Sequence, residues 1–402
     1  MIRLFTPLRL IQNLNLQLNR FHSRRRYRDL ISLRSKIASK TLECITFEAK
    51  PNYPGRLLQI PSNLDEIENC NKSGSWIKNF LPFGRSYYWT SKRRKYFIGF
   101  PKISHSLAAE PTMLKGALLR AFFNCKVSSN PKYHTSLNIY GSYIKKFDGT
   151  PEIKSAVFLD ISGADSFQHF VQDALPIISL LKDFHKVPKN IPLIMRQPSS
   201  SFLHFGDYIY RIGCKNPILF LTGTNSFTVE TLYAISFKPF NANYAIPPSL
   251  HFGAYNKFHS KTQNSQKHKR RVVLINREEK IRNFDNFDLL HENLMAWSKT
   301  RDLGYSVLNT KESNFEDIRS AFSMAKYVFA VHGGSNYNMI WAPPDSVLVE
   351  FIPSEATDSL FHLVLSYGQT YLPYALPQDK GDLKFKVTKT DIDIILESLN
   401  LS

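Results

Sequence analysis

Ala325-Lys326-Tyr327-Val328-Phe329-Ala330-Val331-His332-Gly333-Gly334-Ser335-Asn336-Tyr337-Asn338 decides how this chain is read. Residues 327–331 are apolar and β-prone, and the polar residues that follow open a helix. Two adjacent glycines at such a strand-to-helix turn let the backbone bend tightly and approach a ligand without interference from Cβ atoms. The N–H groups at the start of the helix, with the positive end of its dipole, then face any phosphate placed there. His332 can donate to the same phosphate oxygens. Spacing alone equally supports a glycine turn followed by a Ser/Asn cap.

Outward from this stretch the alternation is regular. Residues 271–276 read as a strand, 285–299 as a helix, 305–308 as a strand, and 315–325 as a helix with Ile318, Ala321, Phe322 and Ala325 on one face. After the strand 327–331 come a short helix at 335–342, a strand at 347–351 and a helix at 359–367. Strands alternating with helices imply a parallel sheet wrapped on both faces. A similar rhythm starts earlier, with strands at 156–159, 193–195 and 218–221. Residues 167–184 have helical spacing (Phe170, Leu175, Ile178, Leu181), and Pro176 kinks or splits that helix. The expected fold class is therefore α/β, with two Rossmann-like domains facing a cleft, residues 151–258 and 270–378, joined by a polar, basic linker around 259–268. Residues 29–150 read as a β-rich N-terminal extension, with strands at 42–47, 87–90, 96–100 and 136–143. Residues 379–402 read as a C-terminal helix. A ligand belongs in the cleft, at the carboxyl ends of the strands.

Composition narrows the class. Of 402 residues, 43% are hydrophobic and 21% charged, which excludes wholesale disorder. No apolar run reaches the roughly 18 residues that a membrane-crossing helix needs. Cys44, Cys70, Cys125 and Cys214 lie far apart, without metal-type spacing, which excludes a zinc ribbon or a disulfide scaffold and fits a reducing cytoplasm. The formal charge of +19 is concentrated in residues 1–28, with seven arginines, and in the clusters Lys92–Lys95 and Lys267–Arg271. None has the aromatic interleaving of an RNA-binding sheet or a helix-turn-helix pattern. Nucleic acid is therefore not expected as a partner; an anionic membrane surface or phosphorylated ligands suit the clusters, as does a merely solvated basic face. Residues 1–28 read as a basic segment, disordered or lying on the membrane surface. The expected location is cytoplasmic, with peripheral membrane contact; an incomplete N-terminus would instead allow the Golgi or ER lumen.

Two further clusters carry chemistry. Arg277 and Arg282 follow the strand 271–276, where guanidinium forks match diphosphate oxygens; near Glu278 and Glu279 they also suit a surface ion-pair group. His169 and Asp173 are four apart in the first domain's helix and can hydrogen-bond. They would serve as the base for an acceptor hydroxyl, or simply stabilise the helix start. Glu350 ends the strand 347–349 and would hold ribose hydroxyls or act as a capping acid. Asp391-Ile392-Asp393 has the letters of a metal motif but lies in the C-terminal helix, so no metal site and no cofactor are expected.

Taken in order, these stretches resemble glycosyltransferase family 61. The His…Glu/Asp…Leu-Pro segment is matched by His169, Asp173, Leu175 and Pro176, and the strand-Arg, Arg, Asn segment by Arg277, Arg282 and Asn286. The most specific block is Ala325, His332, Gly333, Gly334, Asn338, Pro343, Pro344, Glu350 and Pro353, closed by Tyr367-Gly368 and Tyr371. Gly334, Tyr337 and Asp317 depart from the usual Ala, small hydroxyl and Gln. The resemblance covers about residues 157–374. It implies a GT-B architecture and an inverting, metal-independent transfer from a nucleotide-sugar, UDP-linked by expectation, to a glycan, lipid-linked saccharide or protein acceptor, as in capsule or lipopolysaccharide biosynthesis or protein glycosylation. With the donor held by the second domain, the base is expected from the first, His169 oriented by Asp173 or else Asp173 alone, and the donor contacts from Arg277, Arg282, His332, Gly333, Gly334, Ser335, Asn338 and Glu350. The alternative is a non-catalytic module that binds glycans or anionic polymers.

Overall fold

The computed structural model describes residues 39–46, 54–58, 87–91, 94–97, 112–113, 116–128, 144–159, 167–197, 204–222, 225–238, 244–245, 248–260, 269–277, 283–309, 312–352, 360–376 and 384–400. The expected strand at 136–143, Arg282 and the basic segment 1–28 lie outside them. The chain divides into two compact units, each made of three separate stretches. Unit 1 comprises Met1–Ala49, Ile103–Leu203 and Cys214–Ala245; unit 2 comprises Lys50–Lys102, His204–Gly213 and Ile246–Ser402.

Unit 1 is built on a seven-stranded mixed sheet. Its strands are β1 (Ser39–Thr46), β2 (Gly116–Ser128), β3 (Ile144–Lys146), β4 (Ile153–Leu159), β5 (Leu193–Arg196), β6 (Ile218–Leu221) and β7 (Ser226–Lys238). The order is β1-β2-β7-β4-β5-β6, with β3 paired to β2. Pairs from β7 through β4 and β5 to β6 are parallel, whereas β1, β2 and β3 join antiparallel. Cys125, Val127, Ala156, Phe158, Ile194, Val229 and Leu232 form the core of this sheet. Burial pushes the Cys125 thiol up to about 12, so it stays protonated and behaves as a small hydrophobe.

Pro176 splits its helix as the sequence predicts. Phe167–His169 starts as α-helix, Phe170–Ala174 widens into a π-turn, and α1 (Leu175–Leu180) resumes with the proline in its first turn. Proline has no N–H to give to the carbonyl four residues back, and its ring crowds that carbonyl. The Leu175 N–H reaches instead to Phe170 O, five residues back, which is the wider π spacing.

Unit 2 carries an all-parallel sheet. Its main strands are β8 (Arg271–Asn276), β9 (Gly304–Asn309), β10 (Ala325–Val331), β11 (Val347–Ile352) and β12 (Thr370–Ala375). They run in the order β9-β8-β10-β11-β12, and the two-residue strand Arg56–Leu57 pairs beyond β12. In chain order that is 2-1-3-4-5, a doubly wound sheet whose order reverses between β8 and β10. The α-helices among the described residues of this unit are α2 (Phe205–Arg211), α3 (Pro248–His259), α4 (Phe287–Thr300), α5 (Phe315–Ser323), α6 (Phe361–Ser366) and α7 (Lys389–Asn400).

One core contains Leu274, Phe329, Val349 and Phe351 of the sheet, Leu290, Leu294 and Trp297 of α4, and Ile392, Ile395 and Leu399 of α7. The i, i+4, i+7 spacing in α4 and the i, i+3, i+7 spacing in α7 each lay one apolar stripe on the sheet. Replacing the fully buried Leu274 with Ala is expected to cost about 2–5 kcal/mol in chemical denaturation, the usual range for a cavity of that size.

Local sequence sets the element ends. At α5, Asn314 and Asp317 form a reciprocal capping box, so the Asp317 departure from the family pattern has a structural task. Following α6, Gly368 takes φ +81°, with Gly368 N–H to Leu365 O and Gln369 N–H to Val364 O; this is a Schellman end, whose left-handed residue favours glycine. The described residues of the basic cluster at the start of β8 are all paired: Lys269 pairs with Asp302, Arg270 bonds Asp345 and Ala325 O, and Arg271 bonds Ser306. Asp391 accepts from Tyr374 Oη at 2.6 Å and caps the start of α7, so its letters serve packing. The expected helix at 335–342 is a 3-10 helix, Gly334–Trp341. Asn336 Nδ2 bonds Val331 O and Asn338 Nδ2 bonds Ser335 O, and such local side-chain bonds compete with α-helical spacing.

Candidate functional site

The doubly wound order places the carboxyl ends of β8 and β10 side by side where the strand order reverses. Arg277 follows the first strand and His332 the second. Arg277 Nη1 donates to His332 O at 3.2 Å, so the two sequence signals meet. Gly333 is extended, with φ 166°, and needs no special backbone freedom. Its requirement is space, because a Cβ there would lie 1.8 Å from Arg277 Nη1. The missing side chain thus makes room for the guanidinium, whereas the sequence suggested room for a ligand. At Gly334 a Cβ would meet nothing within 4 Å, so the Ala usual in the family fits there.

Below His332 lies a buried polar network. His332 Nδ1 is 2.9 Å from Glu350 Oε1, Asn336 Nδ2 donates to the same oxygen at 3.1 Å, and Tyr371 Oη donates to Oε2 at 2.6 Å. Glu350 is 1% exposed and His332 6%. The donors come from the turn after β10, the 3-10 helix and β12, and the carboxylate comes from β11 between them. Burial, together with the negative charge of Glu350, holds the Tyr371 phenol well above its ordinary range, so it stays a donor. A carboxylate with both oxygens met by donors is the arrangement in which a buried acid is tolerable.

The far end of the 3-10 helix is held by α2. Tyr208 Oη accepts from Trp341 Nε1 at 2.8 Å and donates to Asn338 Oδ1 at 3.5 Å, while the Arg211 guanidinium lies 4.7 Å from the Trp341 ring centroid. Desolvation is the main force pushing the Tyr208 phenol above its ordinary range, so this hydroxyl also stays protonated. Tyr208→Phe would strand the buried indole N–H and is expected to lower stability by about 1–3 kcal/mol in urea denaturation.

In unit 1, His169 Nδ1 lies 2.9 Å from Asp173 Oδ2 across the π-turn, with side chains 45% and 20% exposed. The hydrogen bond expected from the four-residue spacing is present, although the wider turn carries it. Ser335 Oγ is 3.4 Å from Asn336 Oδ1. Asn286, which the family pattern pairs with the arginines, bonds the Val387 backbone in both directions and ties the start of α4 to the segment just before α7. Sequence reading assigned no role to Asn336 or Tyr208 and saw Tyr371 only as part of a closing segment. Asn336 stood inside the quoted stretch, but its partner is 14 residues away. Among the described residues, no group of three or more His, Cys, Asp or Glu is arranged to hold a metal ion. No described helix is long and apolar enough to cross a membrane.

Fold and site together define an α/β protein with an arginine and a carboxylate-held histidine at the switch point of a doubly wound sheet. Residues 167–349, a little under half of the chain, match the family model described as glycosyltransferase 61. That match supports glycosyltransferase activity in general, with a sugar donor and a glycan-type acceptor. No curated protein matches the chain. Among solved structures, a diflavin flavoprotein from Nostoc sp. matches at 11% identity, covering 33% of this chain and 90% of its own, with a TM-score of 0.26. The flavodiiron core of a protein from Synechocystis sp. matches at 9% identity, covering 71% and 91%, with a TM-score of 0.24. Scores that low do not establish a shared fold.

Proposed function

We propose that the protein is an inverting glycosyltransferase of GT-B type that moves a sugar from a nucleotide-sugar, UDP-linked in the first instance, to a hydroxyl of a glycan, lipid-linked saccharide or protein. The observation that carries this reading is the meeting of Arg277 and His332 at the switch point of the unit 2 sheet, where doubly wound proteins bind their ligands. Arg277 and the start of the 3-10 helix present positive potential to a diphosphate, with Ser335, Asn338, Gly333 and Gly334 shaping the turn. Arg282, outside the described residues, is the second arginine on the donor side. His169, oriented by Asp173, takes the proton of the acceptor hydroxyl. The acceptor oxygen bonds to the anomeric carbon, the bond from that carbon to the β-phosphate oxygen breaks, and its electron pair leaves with the nucleotide.

Isothermal titration with UDP and related nucleotides is the direct test. Binding by none of them at millimolar concentration would sink the reading and favour a glycan- or polymer-binding module. Because Arg277 and His332 meet the phosphate charge, transferase activity is expected to survive excess EDTA; complete loss, restored by a divalent cation, would show that a metal carries that charge.

A further inference from the structure

The sequence leaves Glu350 a choice between ribose and protein, and the geometry points to protein. Both its oxygens are engaged, by His332 and Asn336 on one side and Tyr371 on the other, and the group is 1% exposed. We propose that Glu350 and Tyr371 are positioning residues that act through His332, making its imidazole a proton-carrying donor to the β-phosphate of the departing nucleotide. This rests on the nucleotide-sugar reading.

A carboxylate only accepts, so the proton shared across the 2.9 Å contact sits on His332 Nδ1. That fixes the tautomer and ring orientation and leaves Nε2 as the working nitrogen. The charged groups facing His332 are Glu350 at Nδ1 and the Arg277 guanidinium at its carbonyl oxygen. Tyr371, donating to Oε2, keeps Glu350 from turning away and remains neutral. In this proposal the nucleotide is bound together with a proton, so that Nδ1–H donates to Glu350 while Nε2–H donates to the β-phosphate. When the sugar is transferred, the electron pair of the broken bond settles on the β-phosphate oxygen, and Nε2–H donates to it. A histidine backed by a carboxylate is thereby suited to the charge that develops as the nucleotide leaves.

Calorimetric titration of UDP and of uridine, each in two buffers of different ionisation heat, tests this on the full chain and on E350Q, Y371F, H332A and the H332A/E350Q pair, each first checked for folding by circular dichroism. The native protein is expected to take up protons with UDP but not with uridine. E350Q should weaken UDP by about 10- to 100-fold, the usual effect of removing the partner that orients a working histidine, and lose the proton uptake. Uridine affinity should not change, and E350Q should cost nothing further once His332 is alanine. Y371F, which keeps both His332 and Glu350, should move UDP affinity and proton uptake the same way by less. Equal weakening of uridine and UDP in E350Q would return Glu350 to the ribose and overturn the proposal. So would an undiminished E350Q effect in H332A, or native proton uptake and affinity in Y371F. Native protein that binds no nucleotide would fail earlier, at the nucleotide-sugar reading itself.

Discussion

His169→Ala is expected to lower kcat by about 100-fold or more while donor affinity barely changes. That scale is the usual loss when a general base is removed, and the split follows from the position of the pair. His169 stands in unit 1, whereas the groups proposed to face the phosphate stand in unit 2. Its Nδ1 is held by Asp173 at 2.9 Å, and with 45% of its side chain exposed it can meet an acceptor. Asp173→Asn should cost less than His169→Ala, because it misorients the base without deleting it. The measurement is steady-state transfer at saturating donor, alongside donor titration. Abolished donor binding with unchanged turnover in His169→Ala would move His169 into the donor site.

Arg277→Ala should have the complementary effect, weakening UDP by about 10- to 100-fold, as expected for a charge-assisted hydrogen bond to phosphate. Gly333→Ala should copy it without touching the arginine. The new methyl would fall 1.8 Å from Arg277 Nη1, and the guanidinium is the flexible end of a long side chain, so it yields before the backbone does. Thermal unfolding should therefore shift little, while UDP titration shows most of the Arg277→Ala loss. Gly334→Ala, with nothing near its Cβ, is the control and should bind like the native protein. A Gly333→Ala protein that binds UDP normally would show that the arginine's place over the glycine is incidental.

Much of unit 2 was legible in sequence because its signals are local. Strands β8, β10 and β11 are short apolar runs bounded by polar turns, and α4 and α5 carry plain apolar stripes. The reading of β12 failed: Pro373 sits inside Thr370–Ala375 and argues against a strand. The long strands β2 and β7 were also missed. They run 13 residues each, longer than most strands, and β2 pairs with β7 across a sequence separation of about a hundred residues that no local pattern encodes. Of the candidate site, the Arg277–His332 meeting was legible because both residues end neighbouring strands. The network under His332 was not. Glu350 and Tyr371 lie 18 and 39 positions after His332, and only the parallel register, with Ala330 opposite Glu350 and Leu348 opposite Tyr371, brings them together.

The interleaving of the two units limits how this protein could be taken apart, by an experimenter or by gene rearrangement. Helix α2 lies in the chain between β5 and β6, which are paired strands of unit 1, yet it belongs to unit 2 and gives Trp341 the acceptor for its indole N–H. The strand Arg56–Leu57, which pairs beside β12, likewise comes from the far end of the sequence. A fragment cut at residue 246 would keep all the main unit 2 strands and still lack both pieces. Recombination between two such genes at that point would pair the 3-10 helix of one parent with the Tyr208 position of the other. A cut there parts unit 2 from two of its own pieces, so the smallest portable piece keeps α2 and the Arg56–Leu57 strand with the later strands.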